Sequence, residues 1–96
     1  MEVHERLGKL KRLILASELE AADAEVRCSA ADIAEALSTS KRSQAIEFIE
    51  ASADIAGDAD SLETLDYLMD KVITSGQLSQ ADIDSIYARA PANRWL

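Results

Sequence analysis

The chain has 96 residues, 18 of them acidic and 10 basic, for a net charge of −8. Aromatics supply 4% of it against 48% apolar residues overall, so the core must come from Leu, Ile, Val and Ala; one domain of this size buries about two-thirds of its unfolded surface. An acidic surface repels polyanions, the single Cys28 excludes an internal disulfide, and with His4 as the one histidine there is no Cys/His set for zinc. The longest strictly apolar stretch, 13–16, is too short for a signal-peptide core or a membrane span. A reducing, cytoplasmic home is expected.

The spacing predicts five helices, beginning with the longest over 2–24. Val3, Leu7, Leu10, Ile14, Ser17, Ala21 and Ala24 follow a 4-3-4-3-4-3 pattern, one stripe of a helix. Leu13, Leu15 and Leu19 widen the apolar surface beyond that stripe. Ser29, with Asp32 three positions on, reads as the capping box of a short second helix whose inward residues are Ile33, Ala34 and Leu37. The Ser38-Thr39-Ser40 cluster is a turn, and a third helix is expected over 41–56 with Gly57 as its C-cap. Asp60 or Ser61 caps a fourth helix running to Ser75 and stopping at Gly76. Ser79 with Asp82 starts a fifth, which ends near Ala90 because Pro91 disfavours helical geometry in the residue before it. Nothing alternates like a strand. The expected fold is all-α, a compact bundle of four to five short helices in one domain, 1–90, with a short tail, 91–96.

Charge is unevenly spread. Residues 43–88 carry −9, whereas 1–12 and 89–96 each carry +2 and 13–42 carry −3. Within the third helix Glu47, Glu50 and Asp54 repeat the spacing of Glu63, Asp66 and Asp70 in the fourth, sixteen residues later. At 100° per residue each triplet spans about 60° of arc beside its apolar stripe. These six carboxylates are the expected partner-binding face. The basic residues Arg6, Lys9, Lys11 and Arg12 are opposite in sign and suit that face, within one chain or between two.

Other segments carry less. Residues 29–50 resemble a helix-turn-helix, with Lys41, Arg42 and Gln44 placed to read bases. Thr39 and Gln44 stand where that motif has buried aliphatics, and Glu47, Glu50 and Asp54 follow on the same helix. A calcium loop counted from Asp58 needs Gly at its sixth position and Glu at its twelfth; Glu63 and Met69 stand there. His4 reads as a solvated terminal residue. Cys28 beside Arg27 lacks a histidine partner for nucleophilic chemistry, and a small buried or half-buried thiol is the expectation. At the other end Arg94 and Trp95 are of the residue types enriched at interface hot spots.

These features point away from catalysis, cofactors and metals. The expectation is a non-enzymatic protein-binding module, an inhibitor or regulator that occupies a basic, nucleic-acid-binding surface on a protein partner, its carboxylates standing in for phosphates. The alternatives are a helix-turn-helix DNA-binding regulator and a structural homodimer joined through Val3, Leu7, Leu10 and Ile14. Nucleic acid is an unlikely partner and a membrane is not one.

Overall fold

The N-terminal stripe forms a helix but stops early. A computed structural model describes residues 2–58 and 62–89, and in it α1 is Val3–Leu15. The chain then reverses through Ser17, whose φ of 58° is left-handed. The Ser17 amide donates to the Ile14 carbonyl at 3.0 Å and the Glu18 amide to Leu13 at 2.9 Å, the two bonds of a Schellman stop. Serine gives no sequence warning of such a stop, because glycine is its usual occupant.

A break at Ser17 frees the next helix to begin at once. α2, Leu19–Ala36, is the longest element with 18 residues against 13 in α1, so the first helix is not the longest. It also runs straight through Ser29, which is buried mid-helix and caps nothing. The apolar phase shifts across the break: Ala22, Val26, Ala30 and Ile33 face inward, while Ala21 and Ala24 are exposed.

A turn over 37–41 follows, as the Ser-Thr-Ser cluster predicts. Ser38 Oγ and Thr39 Oγ1 donate to the Glu35 and Ala36 carbonyls, which α2 leaves without an intrahelical partner. α3, Arg42–Asp58, continues through Gly57 instead of ending there. α4, Glu63–Thr74, has Leu62 at its N-cap without a side-chain cap; the expected caps Asp60 and Ser61 lie outside the described residues, as do Arg94, Trp95 and the tail. Gly76 ends α4 as predicted, with a φ of 72°. The Ser79–Asp82 box opens α5, Gln80–Ala88, with both reciprocal bonds present.

α2 and α3 are central, each packing on the other and on both α1 and α4; α5 rests mainly on α3. Leu10, Ile33, Phe48, Ile49, Leu65 and Leu68 are fully buried, each contributing about 1.5–3 kcal/mol by leaving water. The radius of gyration is 12.2 Å, against about 12.5 Å for a folded chain of this length. The fold is an all-α bundle of five helices among the described residues. No helix there is long and apolar enough to cross a membrane.

The stripe assigned to dimerisation is occupied within the protomer. Val3, Leu7 and Leu10 are buried, and Ile14, Leu13 and Leu19 pack partly buried against the same core. α2 and α3 cover what the sequence alone leaves bare. Leu15 is the exception, 86% exposed at the end of α1.

Candidate functional site

The acidic ridges of α3 and α4 both form, and the bundle gives most of their carboxylates an internal partner. On α3 the ridge is divided between two neighbours. Glu47 turns toward α1 and meets Lys11 Nζ at 3.2 Å. Glu50 and Asp54 turn toward α5 and share Arg89, at 3.8 and 2.8 Å. The Asp54 hydrogen bond and its charge hold the Arg89 guanidinium above its ordinary pKa; burial opposes them, and the Glu50 charge adds a lesser push upward.

On α4, Glu63 lies 3.5 Å from Arg27 of α2. Asp66 accepts a 2.9 Å hydrogen bond from the Tyr87 hydroxyl, a neutral donor. Burial first, then that hydrogen bond and the Asp66 charge, push the Tyr87 phenol well above its usual range. Among the described residues no cation lies within 4.0 Å of the carboxylates of Asp66 or Asp70. Asp84 on α5 is similar, bonded among the described residues only to the Gln80 amide at 2.9 Å. A cleft of about 620 Å³ opens beside Asp66, lined by Leu62, Asp66, Asp84, Tyr87 and Ala88. The last turn of α5 thus joins the two ridges, Arg89 to α3 and Tyr87 to α4.

Two of the helix-turn-helix residues, Arg42 and Gln44, are drawn into the fold. Arg42 Nη1 donates to the Leu37 carbonyl at 3.2 Å, closing the end of α2, and its Nη2 lies 3.9 Å from Asp82 of α5. Gln44 is half-buried rather than presented to solvent. Cys28 is exposed, contrary to expectation, because the shifted phase of α2 turns it outward. His4 is exposed as predicted.

One polar cluster escaped the sequence reading. Arg6 of α1 reaches three side chains of α2: Ser29 Oγ at 2.9 Å, Asp32 at 2.8 Å and Glu25 at 3.5 Å. Lys9 adds a 3.2 Å contact to Glu25, whose carboxylate is 8% exposed. The signal was present as Glu25, Ser29 and Asp32 at i, i+4 and i+7, facing Arg6 and Lys9 at i and i+3. Reading Ser29–Asp32 as a capping box hid it. The basic end of α1 therefore neutralises α2 as much as the middle block, with Lys11 alone reaching α3. Elsewhere on α4 the exposed Tyr67 ring has Arg27 and Lys71 over it, 5.2 and 5.5 Å from its centroid.

Comparison of the chain with protein-family models, curated proteins and solved structures finds no match.

Proposed function

We propose that this protein is a small, acidic, non-enzymatic binding module that docks on a basic, nucleic-acid-binding surface of a protein partner and acts there as an inhibitor or regulator. The reading rests on one observation: Asp66 and Asp70, one turn apart on α4, stand exposed with no compensating cation among the described residues. Carboxylates spaced along a rigid helix steer a cationic partner and fix its register more than they raise raw affinity. The rest of the six-acid face contributes less, because Glu47, Glu50, Asp54 and Glu63 already have internal cations. The exposed lone Cys28 suits a reducing, cytoplasmic setting for such a module.

The test is calorimetric titration with an arginine-rich peptide at two ionic strengths. Binding that weakens with salt and disappears in Asp66→Lys with Asp70→Lys supports the reading, provided circular dichroism shows the fold intact. Lys41→Ala with Arg42→Ala should not weaken that binding. Specific duplex binding by the wild type, lost in that same double variant, would decide for a DNA-binding regulator instead.

A further inference from the structure

We infer that α5 is a strap that lifts from the other four helices while they stay folded, hinged at Gly76 and latched by Arg89. Three observations support it. α5 contributes a single buried residue, Ile86, with Ile83 and Tyr87 only partly buried; the remaining buried residues among those described belong to α1–α4 or to the turns that join them. Clefts flank it on both sides: about 100 Å³ against α3, lined by Ile46, Glu50, Leu78, Asp82, Ser85 and Ile86, and about 620 Å³ beside Asp66 and Tyr87. Its ion pairs among the described residues, Arg89 to Asp54 and Glu50 and Arg42 to Asp82, join side chains that are all 39–49% exposed, and the Tyr87 hydroxyl adds an exposed hydrogen bond to Asp66. Such exposed pairs are individually weak and screened by salt.

The connection suits a hinge. Gly76 takes a left-handed φ of 72°, with open space where a β-carbon would stand, and two residues then lead to the Ser79 cap. Once lifted, a nine-residue helix is too short to persist alone, so opening and unwinding go together.

Opening frees Glu50 and Asp54 from Arg89 and Asp66 from Tyr87. With Asp70 they are then the carboxylates of α3 and α4 left without an ion-pair partner among the described residues. A guanidinium on a basic partner and the guanidinium of Arg89 therefore compete for the same oxygens, which makes α5 an internal brake on docking. The identity of that competitor rests on the acidic-face reading above, whereas the opening rests on the packing, fastenings and hinge of α5.

Native-state hydrogen exchange on the full chain separates the two. After correction for intrinsic rates, the Ile86 and Tyr87 amides should exchange at least tenfold faster than those of Ile33 and Ile49. Arg89→Ala should speed α5 a further fivefold or more and leave α2 unchanged. Exchange of α5 at the rate of the core, or equal acceleration of both by Arg89→Ala, would overturn the strap. In the binding arm, Arg89→Ala should take up the arginine-rich peptide at least threefold more tightly than the wild type, and equal or weaker binding would refute the competition. If neither form binds the peptide, the acidic-face reading and the brake it implies both fall, and the exchange pattern alone decides whether α5 opens.

Discussion

Arg6 on α1 lies 3.5 Å from the Glu25 carboxylate on α2, and that carboxylate is 8% exposed. The pair fixes how α1 lies on α2, because Asp32 grips the other guanidinium nitrogen at 2.8 Å and Lys9 the other Glu25 oxygen at 3.2 Å. Removing one member of such a pair leaves a charge stranded in a poorly solvated place. Glu25→Ala is therefore expected to destabilise the fold by about 3 kcal/mol, at the low end for broken buried pairs. Arg6→Met combined with Glu25→Leu should cost much less than either single change, since apolar packing then replaces both charges. Urea unfolding of the three variants reads this directly, and additive costs would refute the coupling.

Ser17 offers a test in the opposite direction. A left-handed residue other than glycine costs about 1–2 kcal/mol, and glycine returns part of that as extra freedom in the unfolded chain. Ser17→Gly is thus expected to stabilise the protein by roughly 0.5 kcal/mol, visible as a higher urea midpoint at unchanged slope. Ser17→Val should do the reverse, because a β-branched side chain fits left-handed geometry worst.

The helix class and the later boundaries were legible because they rest on local chemistry. Gly76 and the Ser79–Asp82 box act within a few residues of chain, and the structure reproduces both. The N-terminal half was misread where tertiary packing outranks local signals. Ser17 adopts glycine geometry, and Ser29 and Asp32, a plausible cap in isolation, are used by Arg6 from another helix. The acidic ridges were correctly placed on helix faces, but their neutralisation was invisible. Lys11, Arg27 and Arg89 reach them from 35 to 39 positions away in the chain, and periodicity carries no information on which helix becomes a neighbour.

Tyr87 carries a pH dependence with a definite sign. Its phenol is raised well above the ordinary 10.0 by burial and by the hydrogen bond to Asp66, so the folded protein favours the neutral ring. An unfolded chain begins to ionise near pH 10. The stabilisation is therefore fully present below that pH and is lost as pH rises through the folded value. Tyr87→Phe is expected to cost no more than about 1 kcal/mol at pH 7, given a partly exposed hydrogen bond. Its deficit against the wild type should then shrink above pH 10. A deficit that stays constant to pH 11.5 in paired urea titrations would show that the phenol proton is not involved.

The final prediction contrasts two leucines of α1. Leu10 is fully buried among α2 and α3 neighbours, whereas Leu15, five positions on, is 86% exposed. If the Val3, Leu7, Leu10 and Ile14 stripe belongs to the protomer core, Leu10→Glu places an unpaired carboxylate in an apolar interior and should unfold the chain. Leu15→Glu should change stability by less than about 0.5 kcal/mol, as surface substitutions usually do. If the same stripe were instead the seam of a homodimer, Leu10→Glu would yield a folded species of half the wild-type mass. Circular dichroism and sedimentation equilibrium on the two variants separate these outcomes. Loss of helical signal in Leu10→Glu, with Leu15→Glu sedimenting as the wild type does, is the expected result, because burial rather than apolar character alone decides which leucine the fold depends on.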